Sequence, residues 1–427
     1  MTGPLAGIRV LEFSQIVAGP VAGILLSDMG ADVVKIEPPE GEARRNSGAV
    51  VPNEGKYFQS LNRGKRSLTV DLGHFQGKEL VHRLVPGFDV VVINYRHGVA
   101  ERLGIDYATL RQLSPGLIYA NITGFGVEGP HASRAGSDIV AQAYTGLMAA
   151  EANVDDVNAP APGRASPTID RTTGLAAVAG ICAALYHRER TGEGQEIQVS
   201  LLHSGLDILA STVMREPVHD VTVRDPLLAE LHELRSSGAP YHEIVALRKH
   251  QLPRFASHRL FYGGYHTREG ALVLGAVTRQ NRNAVRAILG VTDDTDDREF
   301  DAAAPGSRER IEAWRREIQR RLMQRTAEEW VEQFLEAGVP ASVVNFPEDM
   351  ADDPQALAND MIVELTHPVT GPQRVVGPLV KMSGTPTAAS RPAPPLGGHS
   401  REVLLEAGCT EAEVEALLDA GVITQHA

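Results

Sequence analysis

Residues 163–204 read GRASPTIDRTTGLAAVAGICAALYHRERTGEGQEIQVSLLHS, and this stretch predicts a loop, a helix, a tight turn and a strand. Side chains from Thr173 to Tyr186 are small and apolar all round, which indicates a helix surrounded by protein. The run is too short, and too soon followed by charge, to span a bilayer. Basic side chains precede Gly192, as is typical of a helix C-terminus, so the helix is expected to end there.

Asp170 stands where the loop becomes the helix. A carboxylate at that point can accept hydrogen bonds from the free backbone N–H groups of the first turn. The positive end of the helix dipole is expected to keep it ionised. An Asp before an apolar helix is more often an N-cap than a nucleophile, so these residues alone favour the cap. The two roles are compatible.

The composition is that of a globular protein with two domains. A chain of 427 residues is too long for one ordinary core. The formal net charge of -13 argues against non-specific nucleic-acid binding, so an anionic ligand would need a local basic pocket. Cys182 and Cys409 lie far apart, so neither a disulfide framework nor a metal cluster is expected. The N-terminus predicts a strand and no signal peptide, so a cytoplasmic protein is expected.

The first 122 residues alternate between strand and helix patterns. The predicted strands are 8–13, 32–36, 67–72, 89–94 and 116–122, and the predicted helices are 20–29, 75–84 and 100–113. Such alternation favours a doubly wound parallel sheet, in which ligands lie beyond the carboxyl ends of the strands. The loops 14–19, 94–99 and 123–137 are therefore the candidate binding loops. A G-x-G-x-x-G dinucleotide motif is absent from the first of them.

The rest of the chain predicts a second, smaller unit. We expect a large Rossmann-like domain over 1–215, a linker with short helices over 216–257, a small α+β domain over 258–340, and a C-terminal segment over 341–427. Within the small domain, a hairpin is expected to turn at Glu269 and Gly270, and Thr326 is expected to cap a helix.

Sequence blocks along the chain carry a resemblance. From Asp170 the pattern is D-x-x-T-G, an Ala/Gly-rich helix, and R-x-R-T-G-x-G-Q-x-I-x-V-S-L-L. Five blocks precede it, namely LEFSQIVAGP, GADVVKIEPP, LNRGKRSLTVDL, NYRHGVAERLGI and SPGLIYANITGFG. Together they resemble, in order, the class III coenzyme A transferases, the CaiB/BaiF group.

The resemblance implies an acyl-coenzyme A:carboxylate coenzyme A transferase. In that family the residue matching Asp170 is the nucleophile, and the reaction passes through an aspartyl mixed anhydride and an aspartyl-coenzyme A thioester. The coenzyme A thioester is a co-substrate, and neither a metal nor a redox cofactor is implied. The family also implies a homodimer of interlocked subunits and a C-terminal tail that returns to a discontinuous large domain.

Several residues are expected to contact coenzyme A or the acyl group. The basic cluster of Arg63, Lys65 and Arg66, with Asn62, could neutralise the phosphates, although such a cluster before a strand is more often a solvated turn. The resemblance implies further contacts, some near the nucleotide end of coenzyme A and some from the first loop. The residues it adds are Gln15, Ile16, Val17, Asn94, Tyr95, Arg102, Gly124, Phe125, Gly126 and Ser137. Of these, Gly124 to Gly126 are candidates for stabilising the tetrahedral intermediates.

Departures from the family pattern limit the choice of substrate. Val17 and Pro38 replace a Gln and an Arg of the formyl-transferring members, and their poly-Gly loop has no clear counterpart. Arg44 and Arg45 could instead bind the distal carboxylate of a larger acid, although exposed surface arginines are the commoner case.

Two other classes of function stay open. Racemases of α-methyl acyl-coenzyme A thioesters carry a His where this chain has Ser137. Because Ser does not titrate near neutral pH, a racemase mechanism would lack one of its two acid/base groups here. A binding protein without catalysis, in which Asp170 is only a cap, is the other alternative.

Overall fold

The computed structural model describes residues 3–163, 166–250, 258–302 and 304–426. The described residues form two compact units. The first unit lies within 1–155, 160–215 and 351–427, and the second within 156–159 and 216–350. Residues 216–250, predicted as part of a linker, are mostly helical and belong to the second unit. The predicted stretch 251–257 lies outside the described residues.

A six-stranded parallel sheet forms the centre of the first unit. Its strands are β1 (Arg9–Phe13), β2 (Asp32–Glu37), β3 (Arg66–Thr69), β4 (Val90–Ile93), β5 (Ile118–Thr123) and β6 (Glu196–Ser200). Their order is β3-β2-β1-β4-β5-β6, so the order reverses between β1 and β4. The predicted parallel sheet is confirmed, and ligands of such sheets bind where the order reverses.

Helices cover both faces of this sheet. Before β6 they are α1 (Ala18–Asp28), α2 (Ala43–Asn46), α3 (Lys56–Asn62), α4 (Phe75–Leu84), α5 (Val99–Leu103), α6 (Tyr107–Leu113), α7 (Asp138–Thr145), α8 (Leu147–Glu151) and α9 (Thr168–Thr191). After β6 come α10 (Leu201–Ile208) and α11 (Ala210–Val213). The single helix predicted over 100–113 is two helices. Gly104 ends α5 with a φ of 72°, and the Asp106 side chain caps α6.

The second unit combines helices with a small antiparallel sheet. Its helices are α12 (Pro217–His219), α13 (Asp225–Ser236), α14 (Tyr241–His250), α15 (His258–Phe261), α16 (Arg279–Leu289), α17 (Ser307–Leu322) and α18 (Ala327–Glu336), with a π-helical segment at Asp220–Arg224. The strands are β7 (Tyr262–His266), β8 (Ala271–Gly275) and β9 (Ala341–Val343). The predicted hairpin and the Thr326 cap are both confirmed.

The last residues of the chain belong to the first unit. They form α19 (Pro354–Ala358), the antiparallel pair β10 (Ile362–His367) and β11 (Gly371–Val376), α20 (Ser400–Glu406) and α21 (Glu411–Asp419). Val403, Leu404 and Val414 are fully buried against the face of the sheet that α4 also covers. The sheet is therefore sealed on that face by the C-terminal segment.

Helix α9 begins close to Asp170, as predicted, but is not buried all round. It ends as expected, because Gly192 adopts a φ of 79°. One side packs on α1 and the sheet, where Gly174 allows the two helices to approach closely. The other side leaves Leu175 49% and Tyr186 66% exposed in this chain. The prediction of a helix surrounded by protein is thus wrong for the isolated chain.

Charged side chains are buried between α1 and the sheet. Glu12 of β1 lies between Lys65, whose Nζ is 2.8 Å from its Oε2, and Lys35, whose Nζ is 3.2 Å from its Oε1. The Lys35 Nζ is also 2.9 Å from an Oε2 of Glu42. Burial opposes ionisation of Glu12, but the two ammonium groups hold its pKa below the ordinary value. A side chain at Gly23 would collide with Glu12, so only glycine lets α1 lie over this cluster.

Candidate active site

A cavity of about 570 Å³ opens beyond the carboxyl ends of β1, β4 and β5. It lies where the strand order reverses, as expected for a ligand site of this fold. Its lining consists of Gln15, Ile16, Val17, Ala18, Asn94, Tyr95, Arg96, Val99, Leu103, Ile122, Thr123, Gly124, Gly136, Ser137, Asp170 and Leu201. The first turns of α1 and α9 both contribute to this wall.

Asp170 is the acid that lines the cavity. It is only 8% exposed, and within the described ranges its carboxylate accepts no hydrogen bond. Helix α9 begins at Thr168, which places Asp170 in the first turn and not at the N-cap. Its backbone N–H donates to Oδ1 of Asp138 at 2.9 Å. The predicted capping role is therefore wrong, because the N-cap of α9 is Pro167.

The acidity of Asp170 also differs from the prediction. Burial, and next the negative charge of Asp138, raise the pKa of Asp170 from 3.8 to about 7, although the Arg44 guanidinium acts in the opposite direction. The helix dipole was expected to keep the carboxylate ionised. Its effect is confined to fractions of a pKa unit to about one unit, so loss of solvent contact outweighs it.

Asp138 is a site residue that the sequence reasoning did not select. It opens α7, directly after Ser137, and its Oδ2 accepts a short hydrogen bond from Gln142 Nε2. The Oε1 atom of Gln142 is buried without a hydrogen-bond partner in the described structure. The sequence signal for Asp138 is the R-A-G-S-D block, in which this acid directly follows Ser137, the residue that stands where the racemases have a His.

The first loop carries an unusual backbone conformation. Ile16 has a φ of 73°, in the left-handed region that a β-branched residue rarely adopts. The preceding residue, Gln15, exchanges two hydrogen bonds with the side chain of Asn94. Val17 is buried and forms the N-cap of α1. The loop after β1 and the loop after β4 are thus joined at the cavity.

Part of the predicted binding set meets at this cavity. The residues that line it are Gln15, Ile16, Val17, Asn94, Tyr95, Gly124, Ser137 and Asp170. Phe125 and Gly126 do not line it. Phe125 packs edge-on against Tyr144 at 5.1 Å, and the Gly126 N–H donates to Thr123 Oγ1 at 3.0 Å. Of the predicted stabilising glycines, only Gly124 faces the ligand space.

The predicted basic cluster lies elsewhere. It precedes β3 and so belongs to the amino edge of the sheet, opposite the cavity. Arg63 pairs with Asp28, and Lys65 binds Glu12 and also Asn62 Oδ1, at 2.8 Å. Arg66 pairs with Asp32, Glu402 and Glu406. Since every one of these cations already faces a carboxylate, the placement favours a structural role over phosphate binding.

Two smaller pockets adjoin the cavity. One, of about 230 Å³, shares Gln15, Tyr95 and Leu103 with it and extends to the ends of β2 and β3. The other, of about 210 Å³, shares Tyr95, Arg96 and Thr123. Arg102 lies outside these linings, on the exposed side of α5, with its carbonyl 3.1 Å from Lys78 Nζ. A long ligand could therefore run from Asp170 along the sheet edge.

Neither a metal site nor a membrane-spanning helix is found among the described residues. No group of three or more His, Cys, Asp or Glu side chains there could hold a metal ion. No helix in these ranges is both long and apolar enough to cross a membrane.

The fold and the cavity define an α/β protein with a cavity at a topological switch point, lined by a buried acid. The chain belongs to CoA-transferase family III, whose model matches residues 5–400. It is 33% identical to the succinyl-CoA:glutarate CoA-transferase of Mus musculus, over 99% of this chain and 91% of that protein. The family predicted from the sequence is confirmed, and the chain is a CoA-transferase that acts between acids.

Other relatives and solved structures agree. Identity is 34% to the succinate–glutarate CoA-transferase of Agrobacterium fabrum, over 94% of this chain and 95% of that protein. Identity to the formyl-CoA:oxalate CoA-transferase of Streptomyces avermitilis is 31%, over 99% of this chain and 100% of that protein. A CAIB/BAIF family protein from Brucella suis superposes with a TM-score of 0.73 at 28% identity, over 95% of this chain and 100% of that one. The structure of Rv3272 from Mycobacterium tuberculosis superposes with a TM-score of 0.72 at 29% identity, over 94% of this chain and 98% of that one.

The raised pKa of Asp170 predicts a defined dependence of stability on pH. The folded protein holds the proton up to about pH 7, whereas an unfolded Asp releases it near 3.8. The stabilisation from protonated Asp170 is therefore complete below pH 3.8 and is lost as the pH rises through 7. Relative to Asp170→Asn, which cannot ionise, the parent should lose about 1.4 kcal/mol per pH unit between about pH 4 and 7. Urea unfolding at several pH values measures this difference.

Asp138→Asn is the matched control for this measurement. Its side-chain oxygen still accepts from the Asp170 N–H, and a flipped Gln142 amide can accept from the new amide with its unpaired Oε1. Only the negative charge is removed, so the loss of stability should end at a lower pH than in the parent. A parent and an Asp170→Asn variant whose stabilities stay parallel from pH 5 to 8.5 would contradict the raised pKa.

Proposed function

We propose that Asp170 is the nucleophile of the transfer. Its carboxylate oxygen attacks the donor thioester carbonyl, and coenzyme A thiolate leaves, which forms a mixed anhydride of Asp170 and the donor acid. The thiolate then attacks the Asp170 carbonyl, the donor carboxylate leaves, and an aspartyl-coenzyme A thioester remains. The acceptor carboxylate attacks that thioester and expels the thiolate. Attack of the thiolate on the acceptor acyl carbon finally releases the new thioester and the free Asp170 carboxylate.

The free carboxylate of Asp170 is the observation that carries this proposal. Within the described residues it has no hydrogen-bond donor to satisfy it, although it is buried and lines the cavity. A pKa near 7 leaves a large ionised fraction at neutral pH. It also makes the carboxylate a stronger base, and thus a better nucleophile, than an ordinary Asp. Burial therefore activates the group that the reaction requires.

Coenzyme A is proposed to extend from Asp170 into the adjoining pocket. That pocket shares Gln15, Tyr95 and Leu103 with the cavity and ends near the start of α4. Lys78 of α4 and Arg102 of α5 lie outside the pocket lining, where Lys78 Nζ donates to the Arg102 carbonyl at 3.1 Å, and neither side chain has an ion-pair partner in the described part of the chain. They are better placed for phosphates than Arg63, Lys65 and Arg66, whose charges are already paired.

A covalent intermediate on Asp170 can be trapped and located in the sequence. Incubation with succinyl-coenzyme A, followed by hydroxylamine or borohydride trapping, should change the mass of the peptide that contains Asp170. Peptide mass spectrometry locates the change. Asp170→Asn should fold, as judged by urea unfolding, but give no adduct and no transfer.

A different result would favour the racemase alternative. That chemistry exchanges the α-proton of the acyl group and leaves no modified Asp170. Deuterium incorporation at the α-carbon without any trapped adduct, over a panel of acyl-coenzyme A donors, would contradict the transferase mechanism. Binding without either reaction would favour the non-catalytic alternative.

The acids transferred are proposed to be dicarboxylic. Arg44 is half-buried, with its guanidinium 4.7 Å above the Tyr57 ring, and it makes no ion pair among the described residues. The Arg44 charge lowers the pKa of Asp170. The neighbouring Arg45 is already paired with Glu37, in a buried ion pair whose Nη2 and Oε2 atoms are 2.7 Å apart. A distal carboxylate would be repelled by Asp170 and Asp138, so it needs such a cation. Relatives named for succinate and glutarate agree with this class.

Arg44→Gln should therefore change substrate preference. A hydrogen bond between charged groups contributes about 1.5–3 kcal/mol, so kcat/KM for glutarate should fall about 10- to 100-fold relative to butyrate. The effect of Arg44 on the pKa of Asp170 in the free protein is common to both acceptors and cancels in the ratio, which leaves the consequences of pairing Arg44 with the distal carboxylate. Arg111→Gln is the matched control, because Arg111 also lies over a tyrosine ring, that of Tyr107. An unchanged glutarate-to-butyrate ratio would contradict the role of Arg44.

The chain is also proposed to form the interlocked homodimer implied by its family resemblance. Support comes from the apolar side of α9, where Leu175 and Tyr186 are 49% and 66% exposed although the helix is otherwise rich in small residues. A second copy of the chain would bury this surface.

Light scattering should accordingly give about twice the chain mass of 45.9 kDa. A charge at Tyr186, introduced as Tyr186→Glu, should shift the protein toward monomer because its desolvation in the interface costs more than a pair with the neighbouring Arg190 returns. Val50→Glu is the control, since Val50 is 97% exposed and outside this surface. A monomeric parent at micromolar concentration would contradict the homodimer.

A further inference from the structure

Side chains from neighbouring strands hold the backbone of the loop that follows β1. The carbonyl of Ser14 accepts a hydrogen bond from Lys35 Nζ at 2.6 Å. The N–H of Gln15 donates to Asn94 Oδ1 at 3.0 Å, and Asn94 Nδ2 donates to the Gln15 carbonyl at 2.7 Å. The peptide groups immediately before Ile16 are therefore fixed from two sides.

Ile16 needs this support more than most residues. Non-glycine residues with positive φ in the described chain are Ile16, Asn53, Ala152, Asn158 and Asp360. Ile16 is the β-branched member of that set, and branching at Cβ makes the left-handed region especially unfavourable. Strain of this kind persists only where surrounding contacts enforce it, and it is commonest at functional sites.

The conformation of Ile16 determines one wall of the cavity. The chain turns at Ile16, so that Ile16, Val17 and Ala18 all line the cavity together with Asp170. Val17 has no side-chain cap, and the backbone N–H groups of Ala18 and Gly19 have no partner among the described residues. A relaxed Ile16 would move this wall relative to Asp170.

We propose that Asn94 is a positioning residue, which holds Ile16 in the left-handed conformation that shapes the wall facing Asp170. Its effect on transfer rests on the proposed function, but its effect on the loop does not. The family resemblance assigned Asn94 to coenzyme A binding. Here its acceptor atom and one of its N–H groups are already used by Gln15. Lys35, which is paired with Glu12 and Glu42, holds the Ser14 carbonyl on the other side of this loop.

Hydrogen exchange of the ligand-free protein tests the loop directly. Asn94→Ala removes two hydrogen bonds, so exchange of the amides between residues 15 and 18 should become about 10-fold faster or more. Asn46→Ala is the matched control, because Asn46 also makes two hydrogen bonds to one residue: its Oδ1 accepts from the N–H of Asn53, which is left-handed as well, and its Nδ2 donates to Asn53 Oδ1. It should leave exchange at residues 15–18 unchanged. Unchanged exchange in Asn94→Ala would overturn the proposal whether or not Asp170 is the nucleophile.

Kinetics in an Ile16→Gly background separate positioning from ligand contact. Glycine adopts a positive φ freely, so the wall no longer depends on the Asn94 contact. Asn94→Ala should therefore lower kcat about 10-fold in the parent and much less in Ile16→Gly. A direct contact with coenzyme A would instead raise KM by the same factor in both backgrounds, and that result would overturn the proposal.

Discussion

The buried ion cluster of Glu12, Lys35 and Lys65 is the constraint on which the site depends. Burying charges is costly unless each meets its opposite, and these three charges, all at 0% exposure, balance only together with buried Glu42, whose Oε2 is 2.9 Å from Lys35 Nζ. Because Lys35 also binds the carbonyl of Ser14, the cluster fixes the point at which β1 ends. Gly23 lets α1 lie directly over Glu12, so the start of α1 is fixed by the same charges. The first wall of the cavity is thus a consequence of core electrostatics.

Asp170 shows the opposite use of burial. Its carboxylate lacks both an ion-pair partner and a hydrogen-bond donor in the described chain, and Asp138 adds a second negative charge nearby. The folded state carries this unfavourable arrangement because helix α9 is held by extensive packing on α1 and the sheet. Buried carboxylates in the same unit, such as Glu12 and Glu37, have lowered pKa values because cations accompany them. Burial also raises the pKa of Asp28, but Arg63 pairs with that carboxyl, whereas Asp170, the acid proposed as the nucleophile, has no such partner in the described chain.

The sequence predicted the sheet, the family and the loops that form the cavity, because apolar periodicity and local motifs report on strand ends. Asp170, Gln15 and Ser137 were correctly placed together. The basic cluster before β3 was not placed correctly, because a basic run in a sequence looks the same whether its charges are paired or free. Its partners lie far away in the sequence: Asp28 for Arg63, Glu12 for Lys65 and Asp32 for Arg66. The pKa of Asp170 was missed for a similar reason: burial is set by tertiary packing, whereas the helix dipole can be inferred locally.

A dicarboxylic substrate would link the charges of this site in one further way. In the free protein the Arg44 charge lowers the pKa of Asp170, against the larger effects of burial and Asp138. When a distal carboxylate pairs with Arg44, that lowering effect is largely cancelled, and Asp170 becomes more basic just as the thioester arrives. A more basic carboxylate is a better nucleophile so long as it stays ionised. Arg44 would then contribute to selectivity and to reactivity through the same ion pair, which makes an uncharged acyl chain a poorer substrate on both counts.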